Sequence, residues 1–186
     1  MKFVELALPG VWILEPEMVV DDRGIFRRTF CAKEFANHGL VTAAVQGNVS
    51  ENPYAGTLRG FHYQVPPHQE AKTLLCVTGS LYDIVVDLRP GSPTFLQWVS
   101  LELSAVNRRS LHVPAGCANA WLTTAADTTV HYYMSAAYEA NADRGLRFDD
   151  PYFGFTWPSA PVKISAKDAA FPDFDPASLP GAQPTR

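Results

Sequence analysis

The sequence predicts an all-β domain, a sandwich or barrel of short strands with a few short helical decorations. Three observations carry this. Apolar runs of strand length recur along the chain, and glycine or proline stops the chain at most of the gaps between them. Helix candidates are few and short. The size also fits: 186 residues with 47 % hydrophobic side chains suffice for one domain with a sizeable core, and are too few for two.

Taken in order, residues 3–8 form the first run, Pro9-Gly10 punctuates it, and 11–14 resume. A helix is expected over 33–38, with Gly39 as its C-terminal stop. Residues 73–77 read as a strand and Thr78-Gly79-Ser80 as a turn. The run 81–88 is stopped by Arg89-Pro90-Gly91-Ser92-Pro93. Further strands follow at 98–103, 110–113, 120–124 and 128–134. A last helix is expected over 165–170, with Ser165 as N-cap and Pro172 just beyond it. The final dozen residues, rich in Pro, Ala and Gly, read as a loose tail. No internal repeat or linker divides residues 1–186, so a single domain is expected.

Bulk properties narrow the function. A formal charge of −4 argues against a nucleic-acid partner. The three cysteines, Cys31, Cys76 and Cys117, are odd in number and form no C-x-x-C, so neither a disulfide framework nor a zinc ribbon is signalled. The start of the chain lacks a signal-peptide apolar segment, and no apolar run is long enough to span a bilayer. A cytoplasmic protein with no membrane partner is expected.

One stretch carries chemistry: Gly56-Thr57-Leu58-Arg59-Gly60-Phe61-His62-Tyr63-Gln64. Arginine holds anions through several donors at once, and histidine is the side chain most easily poised to move a proton near neutral pH. Arg59 and His62 together point to an anionic substrate and acid–base work. The plainer reading is a turn with one histidine that satisfies a local hydrogen bond.

Several ordered stretches resemble one family. They are Asp22-Arg23-Gly24-Ile25-Phe26, Gln46-Gly47-Asn48-Val49-Ser50, Leu58 to Gln64, Lys72, Asp83 through Phe95, Val113-Pro114-Ala115-Gly116-Cys117-Ala118, Tyr132, Tyr138, Arg144 through Pro151, and Lys167-Asp168. The chain resembles the nucleotide-diphospho-4-keto-6-deoxysugar epimerases, the dTDP-4-dehydrorhamnose 3,5-epimerase family. The resemblance covers nearly the whole chain. It implies a cupin-type jelly-roll β-barrel and a homodimer that exchanges N-terminal strands. It also implies a nucleotide-diphosphate sugar as substrate and no cofactor.

Epimerisation beside a ketone requires a base, a group that holds the enolate oxygen, and an acid on the opposite face. By resemblance His62 is the base, Asp168 its paired carboxylate, Lys72 the cation near the C4 oxygen and Tyr132 the acid. The resemblance further assigns Arg59 and Arg23 to the diphosphate and nucleotide, and Gln46 and Asn48 to polar contacts. Phe26 becomes an aromatic presented by the neighbouring subunit, Tyr138 a ring flanking the substrate, and Asp83 a residue lining the site. Each has a plainer reading. Asp168 would be a helix N-terminal charge, Lys72 a solvated edge lysine, and Tyr132 a core aromatic sharing a face with Val130 and Met134. For Arg23 and Arg59 the plainer reading is a surface ion pair.

Two departures from the family pattern stand out. Asn119 occupies the position of a family histidine near the C4 oxygen, and asparagine cannot carry a proton or a charge there. Arg27-Arg28 stand where a glutamate is usual, which leaves the nucleotide open between dTDP, CDP and GDP. Inversion at C3 only or C5 only, a ketoisomerase, and a non-catalytic sugar-nucleotide-binding barrel are the alternatives. A metal-dependent cupin would need more imidazoles than His62: Gln64 and Asn119 fall where further histidines would stand, so no metal is expected.

Overall fold

A computed structural model describes residues 1–179. Its strands, in chain order, are β1 (Lys2–Glu5), β2 (Trp12–Glu15), β3 (Met18–Asp21), β4 (Gly24–Arg27), β5 (Gln46–Asn52), β6 (Leu58–Gln64), β7 (Lys72–Thr78), β8 (Ser80–Asp87), β9 (Trp98–Ser104), β10 (Ser110–Val113), β11 (Cys117–Thr123), β12 (Thr128–Met134) and β13 (Asp143–Gly145). Two short helices, α1 (Ala32–Asn37) and α2 (Ala166–Ala169), complete it. The runs expected at 110–113 and 128–134 fall on β10 and β12 to the residue.

The strands form a six-stranded sheet in the order β1-β2-β10-β7-β12-β5 and a five-stranded sheet in the order β13-β6-β11-β8-β9. Every paired strand is antiparallel to its neighbour. This is the jelly-roll solution, two antiparallel sheets that bury their inner faces against each other. Leu74, Cys76, Leu81, Val85, Leu111 and Val130 fill the space between them. The outer face of the five-stranded sheet is buried as well. Phe61, Ile84, Val86, Ala118 and Ala120 meet a carboxy-terminal cover built from Leu146, Phe153, Phe155, Trp157 and Phe174.

That cover corrects the expectation of a loose tail for its first part. Pro176–Ser178 make a turn of 3-10 helix, and Leu179 is 4 % exposed within the aromatic cluster. The remainder of the expected tail lies outside the described residues.

β3 and β4 stand apart as a two-stranded hairpin. Val19, Val20 and Phe26 on it are 61 %, 68 % and 73 % exposed, so its apolar side chains are left largely uncovered by the described residues.

The strand that carries Arg59 and His62 has an irregularity that the site depends on. In the antiparallel pairing of β6 with β11, Asn119 faces His62 and Trp121 faces Arg59. Two steps on β11 therefore oppose three on β6, a β-bulge at Gly60-Phe61. In a regular strand residues three apart point to opposite faces; the bulge turns Arg59 and His62 to the same inner face. Gly60 has φ +113°, and a Cβ there would stand 2.7 Å from the Asn119 carbonyl oxygen, so only glycine fits.

Candidate active site

Residues from both sheets line an open cavity of about 390 Å³ between them. Gln46 and Asn48 come from β5, His62 and Gln64 from β6, Lys72 from β7, Asn119 and Trp121 from β11, and Tyr132 and Met134 from β12. A second recess of about 490 Å³ shares His62, Trp121, Tyr132 and Lys167 with it and adds Arg59 and Lys163. His62 and Tyr132 thus face one cavity from opposite sheets.

His62 is held by a carboxylate. Its Nε2 stands 3.2 Å from Asp168 Oδ1. The bulge leaves the Gly60 N–H out of the strand ladder, and it donates to Asp168 Oδ2 at 3.1 Å. Ser165 caps α2, accepting from the Asp168 N–H at 3.0 Å, which fixes the backbone that carries the carboxylate. Burial alone would raise the Asp168 pKa; the contacts with His62 and Gly60 outweigh it and hold the carboxyl below its usual range. An ionised carboxylate only accepts, so neutral His62 carries its proton on Nε2 and leaves Nδ1 as the free base.

Nδ1 has a neighbour that the sequence reading does not name. Asp143 Oδ1 lies 3.7 Å away, and Asp143 Oδ2 pairs with Lys167 Nζ and accepts from the Tyr138 hydroxyl at 3.2 Å. Asp143 sits on β13, which pairs with β6 and sets Gly145 against His62.

Lys72 is not a solvated edge lysine. It is 9 % exposed and lines the cavity. Its Nζ donates to the His62 carbonyl oxygen at 2.8 Å and to Asn119 Oδ1 at 3.5 Å, and it pairs with Glu70 Oε1 at 3.1 Å. Asn119 Nδ2 in turn donates to Asp83 Oδ2 at 3.2 Å.

The expectation that Asp83 lines the site is corrected here. Asp83 is wholly buried behind Asn119 and meets no part of the cavity. Its position explains this: Asp83 pairs with Trp121 across β8 and β11 and points inward between Leu81 and Val85, deep in the core. Burial pushes its pKa well above the usual carboxylate range.

Tyr132 is half-buried, edge-on to Trp121 with ring centroids 6.1 Å apart, and burial raises its phenol pKa. Gln46 donates to Asn48 Oδ1 at 3.0 Å and accepts from the Tyr138 N–H at 2.9 Å, tying Tyr138 to the cavity rim. Arg59 is exposed at the mouth of the second recess, its Nε donating to Asn52 Oδ1 at 2.8 Å.

Two residues expected at the site lie outside both recesses in this chain. Arg23 is in the hairpin turn, paired with Asp21 at 2.6 Å, and Phe26 is on the exposed hairpin. Gln64 is tied up in the fold, donating to the carbonyls of His68 and Ala137. Among the described residues no cluster of three or more His, Cys, Asp or Glu side chains is arranged to hold a metal ion. No described helix is long and apolar enough to cross a membrane.

Of the cavity residues that the sequence reading does not single out, Trp121 had a signal. It follows Asn119 by two and so shares its face. Glu70 and Lys167 flank assigned residues, without a pattern of their own.

Fold and site together define a cupin-type jelly roll whose cavity holds a histidine paired with a carboxylate. The sequence model of the dTDP-4-dehydrorhamnose 3,5-epimerase family matches residues 5–176. A dTDP-4-dehydrorhamnose 3,5-epimerase of Sinorhizobium fredii is 40 % identical over 175 residues, covering 94 % of this chain and 90 % of that protein. A dTDP-4-dehydrorhamnose 3,5-epimerase from Bacillus anthracis, solved with TDP and PPi bound, is similar at a TM-score of 0.89 and 37 % identity, covering 93 % of this chain and 99 % of that one. A 3'-monoepimerase from Streptomyces bikiniensis, in complex with dTDP-quinovose, gives a TM-score of 0.84 at 32 % identity over 90 % of this chain and 85 % of that one. The chain belongs to the dTDP-4-dehydrorhamnose 3,5-epimerase family and is an isomerase of the epimerase type.

Proposed function

We propose that this single-domain enzyme epimerises a nucleotide-diphospho-4-keto-6-deoxyhexose at C3 and C5 by proton removal and return, without a cofactor. The observation that carries the reading is the placement of His62 and Tyr132 on opposite walls of one cavity. Inversion needs a base on one face of the sugar and an acid on the other.

In this reading His62 Nδ1 takes the proton from the carbon beside the ketone. The electron pair of the broken C–H bond moves onto the ketone oxygen. Asp168, on the other ring nitrogen, stabilises the imidazolium that forms. Lys72 stabilises the enolate oxygen. Tyr132 donates a proton from the opposite face, and its raised pKa keeps the phenol protonated until then. Arg59 and Lys163 in the second recess supply positive charge for the diphosphate, with Gln46, Asn48, Asn119 and Tyr138 around the sugar. The complexes of relatives with TDP and PPi and with dTDP-quinovose support this choice of substrate.

The exposed hairpin supports a homodimer. Met18, Val19, Val20, Ile25 and Phe26 form an apolar surface of the kind that partners cover, and exchange of these strands would bring Phe26 and Arg23 to the neighbour's site. The enzyme works in the cytoplasm, beside its sugar-nucleotide substrate.

The test is proton NMR in deuterated water with dTDP-4-keto-6-deoxyglucose, run beside its CDP counterpart. Deuterium entering at C3 and C5 is the expected result. Washout at one carbon alone would replace double inversion by mono-epimerisation. No exchange with either nucleotide would overturn the reading.

A further inference from the structure

The Lys72 ammonium has three N–H donors, and all three have acceptors. The His62 carbonyl takes one at 2.8 Å, Glu70 Oε1 another at 3.1 Å and Asn119 Oδ1 the third at 3.5 Å. The first two are ordinary hydrogen-bond lengths, while the third is at the limit of bonding. Asn119 has no freedom to improve it, because its Nδ2 is held by Asp83.

Glu70 is itself 5 % exposed and part of the cavity wall. Its second oxygen, Oε2, is buried without a partner. The backbone between Glu70 and Lys72 is pinned: the Ala71 N–H donates to Ser135 Oγ at 2.8 Å and the Ala71 carbonyl accepts from the Ser135 N–H at 2.9 Å. A carboxylate buried with one oxygen unsatisfied is a poor way to gain stability, since its desolvation offsets much of the attraction. Its place beside the one buried ammonium of the cavity gives it another use.

We propose that Glu70 is a positioning residue for the reaction, holding the Lys72 ammonium against the wall so that the N–H shared with Asn119 is the one that turns to the substrate's ketone oxygen. Two fixed acceptors leave the ammonium one direction for its third donor, and that direction opens when the ketone displaces the long Asn119 contact. Asn119 is then the acceptor that yields, and Glu70 the one that stays. This rests on the epimerase reading above.

The experiment compares Glu70→Ala and Glu70→Gln with wild type in steady-state turnover of dTDP-4-keto-6-deoxyglucose. Misplacement of a catalytic group by about 1 Å costs on the order of 100-fold, so Glu70→Ala should lose about that in kcat with little change in KM. Glu70→Gln keeps an acceptor at the Oε1 position and should restore most of kcat. A second readout needs no substrate. The ¹⁵N-labelled Lys72 ammonium, identified by its loss in Lys72→Arg, should give a resolved signal in wild type and Glu70→Gln. In Glu70→Ala it should broaden. Should Glu70→Ala fail to fold by circular dichroism, Glu70→Leu, closer in volume, takes its place.

An unmoved kcat in the folded Ala or Leu variant, or an ammonium signal unchanged there, would overturn the role of Glu70 while leaving the epimerase reading intact. A wild-type enzyme inactive on both nucleotides would overturn that reading, and the role of Glu70 with it.

Discussion

Replacing Asp168 by asparagine is a sharper perturbation than deleting its side chain. In the wild type both carboxylate oxygens are engaged, Oδ1 paired with His62 Nε2 at 3.2 Å and Oδ2 accepting from the Gly60 N–H. An asparagine amide has one oxygen and one NH2 to place at those two positions. With NH2 toward Gly60, two donors meet in a buried site. With the oxygen toward Gly60, the NH2 faces His62 Nε2, which must then accept. The backbone donor cannot change, so the second arrangement is favoured. His62 then carries its proton on Nδ1, the nitrogen that faces the cavity, and no base remains. In a serine-protease triad, turning the buried aspartate to asparagine lowers kcat about 10⁴-fold through the same tautomer inversion. Taking that scale, Asp168→Asn should lose on the order of 10⁴-fold, equivalent to about 5 kcal/mol of transition-state stabilisation. Asp168→Ala frees the tautomer and forfeits only orientation and charge, so it should be the less damaged of the two. The assay is single-turnover deuterium uptake at the carbons beside the ketone, followed by NMR. Asp168→Asn within tenfold of wild type, or clearly more active than Asp168→Ala, would refute the tautomer argument.

Other consequences can be checked directly. His62→Ala should abolish deuterium exchange while leaving the melting temperature near wild type, since the ring is a third exposed; retained turnover in the folded variant would sink the mechanism. Burial would raise the Asp87 pKa, yet hydrogen bonds from Arg89, Ser92 and Thr94 depress it to about 2. The stability it contributes is therefore complete above about pH 4 and disappears as the pH falls through about 2. Asp87→Asn should cost about 2 kcal/mol at pH 7 and progressively less toward pH 2; denaturant melts showing a pH-independent difference would contradict this. Asp83 works in the opposite sense: with its folded pKa raised by burial, it favours folding most below about pH 4 and loses that contribution as the pH rises. Asp83→Asn should thus gain on wild type by up to about 1.4 kcal/mol per pH unit above pH 4, and parallel stability curves would show that Asp83 is ionised in the fold. Phe26→Asp should shift the protein from dimer to monomer in light scattering if the hairpin is the dimer contact.

Strands were legible where their residues pack inward between clear stops. β10 and β12 carry buried side chains between turns, and both match the apolar runs. β5 gave no such signal, because Gln46 and Asn48 on its inner face line a polar cavity instead of a core. The hairpin strands β3 and β4 failed for the opposite reason, their apolar residues being left largely uncovered by the described residues. At the site, the types of residue were readable and their arrangement was not. Arg59 and His62 are three apart, which in a regular strand would send them to opposite faces, and only the bulge at Gly60 reconciles them. Asp143 adjoins Arg144, and its closeness to His62 depends on the pairing of β13 with β6, which local sequence does not encode. Glu70 lies two residues from Lys72, so their contact is local, but no pattern in the sequence marks its burial.

Asn119 shows how one substitution redistributes the work of a site. Asparagine can donate or accept, and its usefulness to an enolate depends on which atom faces the cavity. Asp83 behind it takes the Nδ2 hydrogen, and Lys72 in front of it donates to Oδ1. Both neighbours favour the same orientation, so the amide offers the cavity an acceptor. A ketone oxygen gaining charge is stabilised by donors and repelled by acceptors. Among the groups on this wall, the proposed mechanism leaves Lys72 as the donor to that oxygen, and Glu70 and the His62 carbonyl hold its ammonium. In the proposed mechanism His62 therefore contributes twice, once through its ring as the base and once through its backbone, which anchors the cation that would receive the charge. This places base and enolate stabiliser in a fixed relation through one residue, and the bulge that turns His62 into the cavity supports both.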